Sequence, residues 1–176
     1  MRERAASGST SALVSLACSL LLACGAPHDE AEGLGHEPQE LADQECAVCG
    51  MTARLQSAPR AQVMHRDGTE LFFCSIGDLL VHRSAPSPHG KVVAIFVESM
   101  QASEEPGRVH VDPHPWIAAA EATFVIGIER PDIMGEPVLV YRDGAEAESI
   151  VRAHPGSQVL DLAGLESWWQ AENEGD

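Results

Sequence analysis

The 176-residue chain lacks several patterns by which common protein classes are recognised. It has no run of 18 or more apolar residues, so no segment is long enough for a typical membrane-spanning helix. It has no glycine-rich phosphate loop and no Gly-x-Ser-x-Gly elbow, which argues against nucleotide-dependent enzymes and serine hydrolases. It also has no second Cys-x-x-Cys, so the four-thiolate pattern of a zinc ribbon is missing.

Basic residues are scarce as well. Lys and Arg number 11 against 27 Asp and Glu, which gives a formal net charge of −16 at pH 7. A surface of this sign repels phosphate backbones, so we expect no nucleic-acid partner. The same surface suits cationic partners or metal ions, and it would also keep an exported domain in solution.

The first 23 residues are predicted to be a signal peptide rather than part of the fold. Arg2 and Arg4 form a positive start, and residues 12–23 form a short apolar run that ends in small residues, as in a secretory leader. The run closes with Leu-Leu-Ala before Cys24, which resembles the bacterial lipobox, in which the cysteine is lipidated. We therefore expect a lipoprotein of the cell envelope that faces the periplasm, anchored through Cys24 in the outer or inner membrane. The alternative is a secreted protein cleaved at the same place.

The rest of the chain divides by composition. Cleavage before Cys24 would leave 9 basic and 26 acidic residues, a net charge of −17. Residues 24–45 are rich in Gly, Pro and Glu and are predicted to be a flexible acidic tether. Residues 46–169 are predicted to form a single folded domain, followed by an acidic tail over residues 170–176.

The tether is followed by the hexapeptide Cys46-Ala-Val-Cys49-Gly-Met51, the stretch with the most chemical information. Thiolates and thioethers are soft ligands, which favour Cu(I) over hard cations. A Cys-x-x-Cys turn lets two sulfurs face one point, as in zinc knuckles and redox motifs. The glycine permits a tight turn that would present Met51 to the same point, and this addition favours copper.

The number of cysteines points in the same direction. Once Cys24 is lipidated, the mature chain would hold three thiols, at Cys46, Cys49 and Cys74, which is an odd number for an oxidising compartment. Metal ligation is the simplest explanation. Two alternatives stay open, because Cys46 and Cys49 could form a disulfide, and Cys74 could be a small buried hydrophobe on a strand.

The periodicity predicts an α+β fold of two small strand-strand-helix halves packed together as a single domain. Residues 60–66 and 69–74 flank an Asp-Gly dipeptide and predict a β-hairpin. Ser75, with Asp78 three residues on, predicts the start of a helix. A similar order of turn, strand, Asp-Gly and helix recurs around residues 134–154.

Three further segments lie between these halves. Residues 91–98 are almost continuously apolar and are predicted to be a central strand buried on both faces. Residues 116–122 are predicted to form one or two helical turns. His110 and His114 could share a second metal site only on a helix, and Pro113 argues against a helix there.

Taken in order, these features resemble the NosL family, whose members are exported lipoproteins that accompany nitrous oxide reductase. The resemblance covers residues 46–165, and the hexapeptide is its most specific part. It is carried by the Cys46-x-x-Cys49-Gly50-Met51 opening, the lipobox upstream, Asp67-Gly68-Thr69, Phe72-Phe73, Trp116 to Ala120, Met134-Gly135 and a helix that ends in His154.

The resemblance implies a Cu(I)-binding metallochaperone rather than an enzyme. It would deliver copper for the copper–sulfide centre of nitrous oxide reductase, with the apo-reductase or its assembly machinery as the partner. It also implies two small α+β halves similar to organomercurial lyase. Carried over position by position, Cys49 and Met51 become the leading Cu(I) ligands, and Cys46 matches too. Met134 becomes a third or capping ligand, and Cys74 stays a further candidate.

Two other function classes stay open. A zinc-stabilised binding module would need four tetrahedral ligands. Cys46, Cys49, Cys74 and one histidine could supply them, so Zn(II) is the alternative ion. A thiol oxidoreductase would use Cys46 and Cys49, but their motif follows a linker rather than a strand-to-helix junction in a βαβ frame. A carbon–mercury lyase would rest on analogy of fold alone.

Overall fold

The structure, a computed structural model, describes residues 36–131, 133 and 135–173. The predicted signal peptide, Cys24, most of the predicted tether and Met134 lie outside these residues, so the predictions made for them stay predictions. Within the described part of the chain, none of the helices has the length and apolar character needed to cross a membrane.

A four-stranded antiparallel sheet forms the first half of the domain, with the strand order β2-β1-β3-β4. Its strands are β1 (Ala61–His65), β2 (Glu70–Phe73), β3 (Val92–Glu98) and β4 (Trp116–Ala118), and a short 3₁₀ helix, Ala53–Leu55, precedes them. The predicted hairpin is confirmed. Gly68 has a φ of 85°, and the backbone N–H of Thr69 donates to Asp67 Oδ1 at 2.9 Å, which closes the turn.

Helix α1 (Ile76–Arg83) follows β2 after only two residues. Ser75 is extended, and its Oγ accepts the N–H of Asp78 at 3.1 Å, so the predicted N-cap is confirmed. The helix buries Ile76, Leu79 and Leu80 in the core. The junction between β2 and α1 therefore holds Cys74 and the first turn of the helix in fixed positions.

The second half is a three-stranded antiparallel sheet in the order β6-β5-β7. Its strands are β5 (Thr123–Ile126), β6 (Leu139–Tyr141) and β7 (Gln158–Leu160), and it carries helices α2 (Gly144–Ala153) and α3 (Leu162–Asn173). The side chain of Asp143 accepts the N–H of Ala145 at 2.8 Å and so caps α2.

One hydrophobic core joins the two sheets. Phe73, Ile76, Leu79 and Val97 from the first half belong to the same buried cluster as Phe124, Val138, Val140 and Leu165 from the second. A smaller cluster, which includes Val125, Leu139, Tyr141 and Ala147, lies under α2. Within the described residues, two small antiparallel sheets and three α-helices thus make a single α+β domain, as the sequence predicted.

Two local predictions were wrong. Trp116–Ala118 is strand β4 rather than helix, because these residues pair with the edge of β3, and only Ala119–Glu121 form a single 3₁₀ turn. Cross-strand pairing here outweighs the helix propensity of the alanines. Strand β3 is central but is not buried on both faces. Its first half has one face in solvent, where Val93 is 40% exposed, and only Val97 and Glu98 are fully covered.

A buried ion pair connects the irregular segments to the first sheet. The side chains of Arg60 and Glu98 are 2% and 1% exposed, and Arg60 Nη2 donates to Glu98 Oε1 at 2.8 Å. Arg60 also donates to the carbonyl oxygens of Arg54 and Asp112, at 2.9 and 3.0 Å. Glu98 Oε1 accepts the backbone N–H of His114 at 3.3 Å. The pair thereby fixes the segments before β1 and before β4 against the sheet.

Candidate metal centre

The Cys-x-x-Cys segment forms a closed loop that lies against the end of β2. The N–H of Gly50 donates to the carbonyl of Cys46 at 2.9 Å, and the N–H of Cys46 donates to the carbonyl of Met51 at 2.7 Å. Gly50 has a φ of 73°, a left-handed conformation that glycine adopts without strain. The N–H of Ala47 donates to the carbonyl of Phe72 at 2.8 Å, which fixes the loop to the hairpin.

This loop brings three thiols and a carboxylate together. One ligand atom from each of Cys46, Cys49, Cys74 and Asp78 lies within 4.8 Å of all the others. The Sγ atoms of Cys49 and Cys74 are 3.4 Å apart. The thiol of Cys74 donates to Asp78 Oδ2 at 2.9 Å, and the thiol of Cys46, while it is protonated, donates to the same oxygen at 3.2 Å. All three cysteines are free thiols, and we call these four side chains the thiol cluster.

The thiol cluster is closed on one side and open on the other. Cys46 and Cys74 are buried, with 3% and 5% of their surface exposed. Cys49 and Asp78 are partly exposed. An ion bound among the four side chains would therefore be shielded by Cys46 and Cys74 and could be reached from solvent past Cys49.

The three thiols differ in acidity. The hydrogen bond with Cys74 lowers the pKa of Cys46 from its ordinary value of 9.0 to about 6, although burial opposes this change. The same contact raises the pKa of Cys74, and burial and Asp78 add to that increase. Burial raises the pKa of Cys49. Of the three thiols, Cys46 therefore loses its proton at the lowest pH, and Cys49 and Cys74 keep theirs to higher pH.

Of the two predicted methionine ligands, the described residues include only Met51. Met51 follows Cys49 in the same turn, its side chain is partly exposed, and its carbonyl oxygen closes the loop on Cys46. Met134, predicted as a third or capping ligand, lies outside the described residues. So does Cys24, the predicted site of lipidation. The described part of the chain thus unites the three cysteines that the sequence singled out.

Asp78 is the member of the thiol cluster that sequence reasoning missed. It was predicted only as part of a helix start, a role that its backbone N–H does fill. The spacing gives no signal for its second role, because Cys74 precedes the extended cap residue Ser75 and is not part of the helix. The carboxylate of Asp78 reaches the thiol of Cys74 only because the β2–α1 junction places the two side chains together.

His110 and His114 do not form a second metal pair. Nε2 and Nδ1 of His114 lie 2.8 Å from Glu104 Oε1 and 2.7 Å from the carbonyl of Asp112. Nε2 of His110 lies 3.0 Å from the carbonyl of Glu105. The segment has no helix, as Pro113 predicted, and the ring nitrogens are used in hydrogen bonds that order the loop.

Comparisons with known proteins agree with this arrangement. The family described as NosL matches residues 39–168 of the chain. The copper-binding lipoprotein NosL of Achromobacter cycloclastes is 31% identical over 160 residues, which cover 87% of this chain and 78% of that protein. The copper-binding lipoprotein NosL of Stutzerimonas stutzeri is 27% identical over 143 residues, which cover 80% and 70% of the two chains.

A solved structure has the same fold. The crystal structure of the copper chaperone NosL from Shewanella denitrificans aligns with a TM-score of 0.60 and 22% sequence identity. The alignment covers 72% of this chain and 93% of that one. This likeness shows that the α+β arrangement of the two halves is shared.

Proposed function

Because the chain belongs to the NosL family, we propose that it binds Cu(I) at the thiol cluster and delivers it to an apo-enzyme in the cell envelope. The observation that carries this proposal is the convergence of Cys46, Cys49 and Cys74 within 4.8 Å. Soft sulfur ligands favour Cu(I) over harder ions. The relatives named copper-binding lipoprotein and copper chaperone support the same choice of metal.

The metal-free geometry prepares the sulfurs for the ion. Asp78 accepts a hydrogen bond from the Cys74 thiol, and the sulfur of Cys46 lies 3.2 Å from the same carboxylate oxygen, so Asp78 orients the Cys74 sulfur before copper arrives. Cys46 has the lowest pKa of the three thiols, so a cation can bind it first. Cys49 and Cys74 then lose their protons as the ion binds, since thiolate rather than thiol is the metal ligand.

The exposed side of the thiol cluster suits transfer to a partner. Cys49 is the partly exposed cysteine, and Val48, between the two cysteines of the motif, is 41% exposed. A partner that docks on this loop can replace Cys49 first and the buried thiolates afterwards. Cu(I) then moves through shared coordination and is never free in solution. Such a transfer requires no catalytic residue.

We further propose nitrous oxide reductase as the recipient, with its copper–sulfide centre as the destination. Lipid on Cys24 would hold the protein on a membrane of the cell envelope, facing the periplasm, and residues 24–45 would act as a tether. The domain would comprise residues 46–169. The names of the relatives support the lipid anchor and the role in copper handling.

One observation favours a second candidate, a zinc-stabilised binding module. The fourth member of the thiol cluster is an oxygen donor, Asp78, in place of the histidine that the sequence suggested. Three cysteine sulfurs and one carboxylate form a four-ligand set that suits a closed, tetrahedral Zn(II) site. The two candidates differ in the ion that the cluster prefers and in whether Met51 contributes.

The test is a competition for metal. The full chain, purified reduced and without oxygen in detergent, is titrated with Cu(I) against a chelator of known affinity and, separately, with Zn(II). The variants are Cys49→Ser and Met51→Leu. Met100→Leu is the matched control, because Met100 is buried in the second core cluster, away from the sulfurs.

The copper proposal expects one Cu(I) per chain, bound more weakly by both site variants and unchanged in Met100→Leu. It also expects the loaded chain to pass copper to apo-nitrous oxide reductase in the presence of the chelator. Tight Zn(II) binding with weak Cu(I) binding, and a metal affinity that Met51→Leu leaves unchanged, would contradict the copper proposal and support the zinc-stabilised module.

A further inference from the structure

Two sulfurs of the metal-free thiol cluster are in direct contact. The Sγ atoms of Cys49 and Cys74 are 3.4 Å apart, and a hydrogen bond joins them, with either thiol as the donor. A disulfide bond is about 2 Å long, so these sulfurs need to approach each other by only about 1.4 Å to form one. Cys49 lies in a loop and is partly exposed, so a rotation of its side chain can make this approach.

The sequence suggested a different disulfide, between Cys46 and Cys49. The structure engages the sulfur of Cys46 elsewhere, 3.2 Å from Asp78 Oδ2. Cys46 is also buried, so a dissolved oxidant reaches it less readily than it reaches Cys49. The distance along the chain favours the other pair as well, because Cys49 and Cys74 are 25 residues apart. A disulfide that closes a longer loop constrains the unfolded chain more.

We propose that, when the metal is absent, a disulfide oxidant joins Cys49 and Cys74 in a disulfide bond and leaves Cys46 as a free thiol. Disulfide oxidants act in the oxidising compartments of the cell, which include the proposed location of this protein. The bond removes two of the three thiolates that can hold Cu(I), so the oxidised chain cannot be loaded until it is reduced. This effect on copper rests on the proposed function, whereas the disulfide itself does not.

The reaction is a thiol–disulfide exchange in two steps. The Cys49 sulfur, once it has lost its proton, attacks one sulfur of the oxidant, which forms a mixed disulfide and releases one thiolate. The Cys74 sulfur then attacks the Cys49 sulfur, and the second half of the oxidant leaves as a thiolate. Asp78 can accept the proton of Cys74 in this step, since Cys74 donates to its Oδ2 at 2.9 Å. The chain loses two electrons and two protons, and the oxidant gains them as two thiols.

The test maps the disulfide in the full chain, purified in detergent, reduced and free of metal. Oxidised glutathione is the oxidant, and the remaining thiols are alkylated with N-ethylmaleimide after the chain is unfolded in mild acid. Trypsin and glutamyl endopeptidase then release residues 46–54, which hold both cysteines of the motif, and residues 71–83, which hold Cys74. Mass spectrometry identifies linked peptides, and fragment ions locate the alkylated cysteine.

We expect the two peptides to be linked through Cys49 and Cys74, with the alkyl group on Cys46. The link should also form in Cys46→Ser, the matched control, and should be absent from Cys74→Ser. Two separate peptides with Cys46 joined to Cys49, a link through Cys46, or three alkylated cysteines would each overturn the proposal. The map is made on the unaltered chain, so this result does not depend on the folding of a variant.

A second measurement tests the effect on copper. The oxidised chain should bind no Cu(I) in competition with a chelator, and reduction followed by removal of the reductant should restore binding. Equal Cu(I) affinity in the oxidised and reduced chains would overturn the effect on copper. Failure of the reduced chain to bind Cu(I) would contradict the proposed function, and with it the effect on copper, whereas the peptide map would still decide whether Cys49 and Cys74 form the disulfide.

Discussion

Two polar clusters in the described part of the chain, the Arg60–Glu98 pair and the thiol cluster, differ in how their hydrogen-bonding groups are satisfied. In the Arg60–Glu98 pair, every guanidinium nitrogen donates to an oxygen. Nε and Nη2 bond the carboxylate, and the remaining donors bond carbonyl oxygens of Arg54, Gln56, Val111 and Asp112. In the thiol cluster, three sulfurs and one carboxylate face one another, and the hydrogen bonds between them use thiol protons.

This difference separates a scaffold from a binding site. A buried charged group whose hydrogen-bonding atoms all have partners has none available for a ligand. Removal of one partner leaves an uncompensated buried charge and destabilises the fold. Weak thiol donors between electron-rich atoms leave a place where a cation can displace protons and gain ligands. Mutations should therefore lower the stability of the protein at the first cluster and its affinity for metal at the second.

The largest expected effect is at the ion pair. Glu98→Ala leaves the buried guanidinium of Arg60 without its carboxylate, so we expect the free energy of unfolding to fall by about 3–5 kcal/mol. The measurement is urea unfolding of the metal-free, reduced chain. The control is Arg54→Ala, which breaks the exposed pair with Asp43, whose side chains are 48% and 86% exposed. That pair should contribute less than about 1 kcal/mol. Equal losses in the two variants would contradict the scaffold role.

A smaller effect is expected at Asp78. Asp78→Asn keeps the size of the side chain but removes the carboxylate that accepts from Cys74 and lies 3.2 Å from the sulfur of Cys46. We expect Cu(I) affinity to fall by about 10–100-fold, the usual cost of losing a group that orients metal ligands, with little change in urea unfolding. Competition titration measures the affinity. A loss of stability as large as that of Glu98→Ala, with unchanged affinity, would place Asp78 in the scaffold instead.

The sequence predicted those parts of the fold that depend on interactions between residues close together in the chain. The Asp67-Gly68 turn and the Ser75 cap depend on residues two or three apart, and both were predicted. Strand β4 was missed because its conformation is set by pairing with β3, about 20 residues earlier. A short alanine-rich segment can be helix or strand, and only the neighbouring strand decides between them.

The candidate site shows the same limit. The three cysteines could be selected by their chemistry and their odd number, but their meeting depends on the contact of the Cys46 loop with β2. Asp78 lies 32 residues from Cys46. No local sequence pattern indicates a contact between residues so far apart in the chain. The thiols could therefore be selected from the sequence by their chemistry, whereas the orienting carboxylate could be identified only from the fold.

The smallest expected effect is the ionisation of Cys46 in the metal-free chain. A pH titration measures whether the thiol cluster carries a negative charge on sulfur before metal binds. The far-ultraviolet thiolate absorbance of the metal-free, reduced chain should rise with a midpoint near pH 6, where Cys46 ionises. Because this pKa lies below the ordinary 9.0, the thiolate stabilises the fold fully above about pH 9, and that contribution is lost as the pH falls through about 6. Cys46→Ser should abolish the transition near pH 6. Asp78→Asn tests separately whether the carboxylate of Asp78 changes that transition. A single transition near pH 9 in the unaltered chain would mean that Cys74 does not hold Cys46 as a thiolate, and the cluster would then bind its first cation only by displacing a proton.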